Sequence, residues 1–133
     1  MSKSKKTIHG SLFTTHKYLY WLPSIFYMIL IFILSSCPAP EVVSFFPTIF
    51  GLDTSHMLEY GLLAILYSYA LQKTSKANER TFFLLPVLLA FLYGITDEIH
   101  QMFVITRSST VNDLIANFTG AALFQLLFFK LNI

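Results

Sequence analysis

The run IFYMILIFIL, residues Ile25 to Leu34, decides the fold class. It is the centre of a stretch from Tyr18 to Pro40 without a single Asp, Glu, Lys or Arg, long enough to cross a bilayer with some tilt. Tyr18, Tyr20 and Trp21 stand at its start, where amphipathic rings favour the head-group level. Pro23 falls in the first helical turns, where a missing N–H costs little. Basic residues ahead of the run and the Leu34-Ser35-Ser36-Cys37 box suggest a lipoprotein signal peptide as an alternative. The membrane-like character of the rest of the chain argues against it.

Three further apolar runs follow, at about Asp53–Gln72, Thr81–Ile105 and Asp113–Phe129. They are apolar on successive positions, as in helices and not in alternating barrel strands. Composition agrees: 55% of the 133 residues are apolar and 12% are charged, against about 25% charged in soluble domains. The expected fold is all-α: a polytopic membrane protein with four transmembrane helices in an antiparallel bundle, residues 18–133, preceded by a cytoplasmic basic segment, residues 1–17. Lys73–Arg80 and Thr106–Asn112 read as polar turns. Glu41–Leu52, with Phe45, Phe46, Ile49 and Phe50, is apolar enough to lie in the membrane interface or to pack over the bundle.

Composition also excludes functions. A net charge of +2 is too small for a groove that neutralises several phosphates, so no nucleic-acid partner is expected. One cysteine, Cys37, permits no internal disulfide. If the spans alternate, eight of the nine basic residues share one side, which the positive-inside rule makes cytoplasmic, with both termini there. Arg107 is alone on the outer side. Six of the seven acids fall in the outer half or outer loops: Glu41, Asp53, Glu59, Asp97, Glu98 and Asp113.

The polar residues therefore converge on one end of the bundle. At about 100° per residue, Asp53, His56 and Tyr60 form one stripe, with Glu59 beside it. Glu98 and Gln101 share a face with Gly94, and Asp97 and His100 point about 100° away. Asp113, Asn117 and Gly120 align on the fourth span, and Gly94 and Gly120 suit close helix approach. The ligand-binding candidates are Asp53, His56, Tyr60, Glu98, Gln101, Arg107, Asp113 and Asn117, because intramembrane polar groups usually face partners or a wet cavity. Structural roles compete: Arg107 can pair with Asp113 or Glu98, and Asp113 can cap its helix.

The pairs His56-x-x-Glu59 and Asp97-x-x-His100 lack the paired-histidine spacing of a zinc protease, so no metal site is assigned. No phosphate-binding glycine loop is present, and no cofactor is expected. If a reaction occurs, Glu98 or Asp113 is the candidate base and His56 the proton carrier. The absence of a recognised catalytic motif favours a binding protein.

The stretches DTSHMLEY, residues 53–60, and EIHQMFVITRSSTVNDLIANFTG, residues 98–120, resemble the VanZ-like family of small bacterial membrane proteins. The matching positions are Asp53, His56 and Tyr60, then Glu98 and Gln101, then Arg107, Asp113, Asn117 and Gly120. Ser35-Ser36 resembles the family's ending of the first span, while Thr54 and Cys37 replace a frequent Lys and Gln. The resemblance implies a bacterial cytoplasmic membrane location. The family's founding member is associated with teicoplanin resistance. The expected role is an outer-face site for the head group of a cell-envelope lipid or lipid-linked wall precursor, with a link to the glycopeptide response. The alternatives are a membrane-embedded hydrolase or transferase acting on a lipid-linked substrate, and a small ion or proton transporter.

Overall fold

The computed structural model describes residues 16–38, 48–49 and 51–131. Most of the basic N-terminal segment and most of the apolar 41–52 connection lie outside the described residues. The described residues form four long helices. A 3₁₀ turn, Tyr18–Trp21, leads into α1, Leu22–Ser35; α2 is Thr54–Thr74, α3 Glu79–Gln101 and α4 Val111–Lys130. Departing from the all-α expectation, two-residue strands β1, Thr48–Ile49, and β2, Leu52–Asp53, pair antiparallel ahead of α2. Gly51, at φ +77° between them, takes a left-handed conformation that suits glycine.

Among the described residues three segments are long and apolar enough to cross a membrane: Tyr18–Ser35, Glu79–Gln101 and Val111–Lys130. The most enclosed helix is α2, which buries His56, Tyr60, Gly61, Leu63, Ala64, Tyr67, Ser68, Ala70 and Leu71. Its neighbours shield it, so it tolerates more polar residues than the others. By contrast α1 buries only Ser24, Ile31 and Ser35, one narrow stripe, and leaves Phe26, Ile29, Phe32 and Ile33 exposed. It is held by Tyr93, whose hydroxyl donates to the Met28 carbonyl at 2.6 Å, and by Trp21 against Tyr67.

Side-chain contacts give the helix directions. Tyr60 near the head of α2 reaches Asp97 near the tail of α3, and Glu98 beside it reaches Asn117 near the head of α4. Gly120 abuts Met57, and Gly61 abuts Phe124, so α2 and α4 run side by side in the same sense. A Cβ on Gly120 would come within 2.5 Å of the Met57 Cα and collide with its carbonyl oxygen. Only a residue without a side chain allows that backbone approach.

Inside α3, Pro86 has no N–H for the carbonyl of Phe82, four residues earlier. Gln125 of α4 supplies the missing donor: its Nε2 donates to the Phe82 oxygen at 2.9 Å, and Ser68 donates to its Oε1 at 2.7 Å. Three helices are thus tied through side chains that are themselves buried, Ser68 and Gln125. The third helix also ends at Gln101, four residues before the expected Ile105. Thr106, at φ 72°, turns the chain back toward α4, a conformation unusual for a β-branched residue.

Candidate functional site

Asp53, at the head of α2, has extended backbone, and its carboxylate accepts from the Ser55 N–H at 2.9 Å and the Ser55 hydroxyl at 2.8 Å. This N-cap satisfies an otherwise orphaned helix donor. It also points the next two helical turns, with His56, Glu59 and Tyr60, at the tail of α3.

Two buried carboxylates on α3 organise the site. Asp97 accepts from Ser35 at its Oδ1, and from Tyr60 at 2.9 Å and Gln101 at 3.0 Å at its Oδ2. The four groups come from three helices and are each under 5% exposed. Glu98 accepts from Ser109 at 2.7 Å and from the Asn117 amide at 3.5 Å, and its Oε1 lies 3.9 Å from His56 Nδ1. His56 Nδ1 and Asn117 Oδ1 are buried and have no hydrogen-bond partner among the described residues.

Helical faces set Asp97 apart from Glu98, and the fold keeps them apart while burying both. On the isolated helix the two do diverge. In the fold α3 is flanked on both sides, so Asp97 is covered by α1 and α2 while Glu98 is covered by α2 and α4. His100 stacks on Phe32 with ring centroids 4.3 Å apart, and its Nε2 lies 2.9 Å from the Ser36 hydroxyl. Among the described residues no three His, Cys, Asp or Glu side chains are grouped as metal ligands.

Arg107 bonds to the end of α1 rather than to Asp113 or Glu98: Nε donates to the Cys37 carbonyl and Nη2 to the Leu34 carbonyl, both at 3.0 Å. Two exposed carbonyls at a helix end are natural partners for a cation. Asp113 forms a capping box with Thr110, whose N–H and hydroxyl donate to Asp113 Oδ2 at 2.9 and 2.7 Å. Gly94 lies against Asn117 and Tyr60, leaving 3.0 Å between a built Cβ and Asn117 Nδ2.

A small polar cavity of about 20 Å³ opens among Leu34, Ser35, Asp53, Ser55, His56, Glu59, Gln101 and Arg107. It has room for about one water-sized group. Of the sequence candidates, Asp53, His56, Gln101 and Arg107 line it; Tyr60, Glu98 and Asn117 stand behind; Asp113 belongs to the start of α4. Ser35, Glu59, Asp97 and Ser109 complete the cluster but were not among the candidates. A polar residue at a span end was the available signal for Ser35, and Ser109 lay in a stretch read as loop.

The two sequence blocks that supply nearly all of this cluster fall within residues 18–132, which match the VanZ/LLP1 family model. The chain belongs to the VanZ/LLP1 family. No curated protein and no solved structure matches it. In this VanZ/LLP1 protein the site is rich in hydrogen-bond acceptors, with four carboxylates and a histidine near one guanidinium. Such a set suits a ligand that brings donors, such as hydroxyl or amine groups.

Proposed function

We propose that this VanZ/LLP1 protein binds the polar head group of a cell-envelope amphiphile, an envelope lipid or lipid-linked wall precursor, at the end of the helices where Ser35, His56 and Gln101 meet. The observation that carries this reading is His56, which lines a polar cavity and whose buried Nδ1, 3.9 Å from Glu98, has no hydrogen-bond partner among the described residues. An unsatisfied buried polar atom costs about 1–3 kcal/mol, and a ligand group or bridging water at this point recovers it. Arg107 sits at the rim; a guanidinium has five donors, so two bonds to α1 hold it without exhausting it, and it serves the phosphate of a head group. The acids select hydroxyl or amine groups.

In this reading all four helices cross the bacterial cytoplasmic membrane in alternating directions, as an antiparallel bundle with both termini cytoplasmic. Lys73, Lys76, Arg80 and Lys130 then share the inner side, and the cavity opens near the outer surface. Where the head group is that of a wall precursor, removing the protein changes susceptibility to glycopeptides.

Native mass spectrometry of protein extracted gently from its own membrane tests the reading. A stoichiometric amphiphile kept by the wild type and lost from folded His56→Ala and Arg107→Ala variants supports it. Bare wild-type protein, or a ligand held equally by both variants, overturns it.

A further inference from the structure

The side of the α3–α4 pair carries a second cavity, an apolar groove of about 540 Å³. Leu84, Val87, Leu88 and Phe91 of α3 line it with Phe118 and Ala122 of α4, and Arg80 and Thr81 stand at one end. Its relief has a simple origin. Ala122, a small residue between larger ones of the two helices, forms its floor, and the edge-to-face rings of Phe91 and Phe118, 5.6 Å apart, close the far end. Leu84 and Leu88 are half exposed along the opening.

Its length is informative. Arg80 to Phe91 is eleven residues, about 16 Å of helix, half of the roughly 30 Å hydrocarbon core. The groove therefore runs the depth of one leaflet, with a guanidinium at the surface end and aromatic rings at the middle. Charge at that end is mostly of one sign: Lys73, Lys76, Arg80 and Lys130 against Glu79. An occupant one leaflet long, apolar along its length and negative at one end is an anionic phospholipid. A second copy of this chain fits less well. A two-fold dimer through this face presents the same patch from both subunits, bringing Arg80 toward its own copy.

We propose that the groove is a binding site for an anionic phospholipid, its acyl chain along Leu84 to Phe91 and its phosphate at Arg80. The site is separate from the polar cluster, and either can fail without the other.

Trp21 is the single tryptophan, so Trp21→Phe with Phe91→Trp gives one reporter at the closed end of the groove. Its fluorescence is read in bilayers containing brominated-chain phosphatidylglycerol or brominated-chain phosphatidylcholine. The expected result is binding of phosphatidylglycerol tighter by about fivefold, the size expected of one basic residue near an anionic head group. Arg80→Gln should bring the ratio near one, and Ala122→Phe, which fills the floor, should weaken quenching by both lipids. A control reporter at exposed Ile29 should show no preference. Equal quenching by the two lipids at Phe91→Trp, or a preference that survives Arg80→Gln, overturns the proposal. So does a reporter shielded from both lipids in a protein that crosslinks as a dimer, which assigns the groove to a second copy.

Discussion

Tyr60 of α2 donates to Asp97 of α3 at 2.9 Å, with the tyrosine fully enclosed and the aspartate 3% exposed. This bond lies beside two others, from Ser35 of α1 and Gln101 of α3, so one carboxylate fixes the relative positions of three helices. The cavity-lining residues Ser35 and Gln101 are thereby set by the same anchor. Asp97 is a positioning residue whose hydrogen bonds shape the pocket that His56 and Arg107 also line.

Removing one donor should cost less than removing the shared acceptor. Tyr60→Phe takes away a single hydrogen bond to a buried carboxyl group and should destabilise by about 1–3 kcal/mol. Asp97→Ala strands three donors at once and should cost more. Thermal unfolding in a mild detergent ranks the two, and a smaller loss for Asp97→Ala would refute the anchoring role.

The proline in α3 gives a sharper test, because its defect and its repair lie on different helices. Gln125→Leu leaves the Phe82 carbonyl and the Ser68 hydroxyl without their partner and should cost about 1–3 kcal/mol. Pro86→Ala restores an N–H for Phe82 within α3. The double variant should therefore be more stable than Gln125→Leu alone, a coupling that a double-mutant cycle measures. Strict additivity would mean that Gln125 does not repair the proline gap.

Two glycines should respond differently to one added methyl group. At Gly120 the methyl meets the Met57 backbone, which cannot swing away, and Gly120→Ala should cost at least about 3 kcal/mol, the upper end of overpacking penalties. At Gly94 the neighbours are the Asn117 and Tyr60 side chains at 3.0 and 3.2 Å. Those can shift by a few tenths of an ångström, and alanine gains about 0.5–1 kcal/mol of helix stability. Gly94→Ala should thus be the milder change, and equal thermal shifts would contradict the packing described.

The helical runs were legible because residues left on the outside of the bundle, such as Ile29 and Ile33, are as apolar as those inside it. The convergence of His56, Tyr60, Glu98 and Asn117 on one end followed from their depth along the runs. What could not be read was which side of a helix is covered by which neighbour. Asp97 points about 100° from Glu98, and only the placement of α1 on one side and α4 on the other reveals that both are enclosed. The bond from Gln125 to Phe82 was hidden for the same reason, since the proline marks a missing donor without naming its substitute. Arg107 looked like an ion-pair partner because nearby acids are conspicuous in sequence, whereas the carbonyls at the end of α1 leave no trace there.

The bonds of Arg107 to the Leu34 and Cys37 carbonyls place the chain's sole thiol beside the residue that secures it. Two guanidinium nitrogens reach two oxygens, a fork that an ammonium cannot reproduce. Arg107→Ala should release the end of α1 and raise the rate at which a maleimide modifies Cys37. Arg107→Lys should restore little of the protection, because a single point donor holds one carbonyl at most. A membrane-impermeant maleimide applied to intact cells reads orientation as well. If the helices alternate from a cytoplasmic N-terminus, Arg107→Ala exposes Cys37 to the outside reagent without permeabilisation. Labelling of that variant only in permeabilised cells would place the Arg107 end, and the cavity beside it, on the inner face.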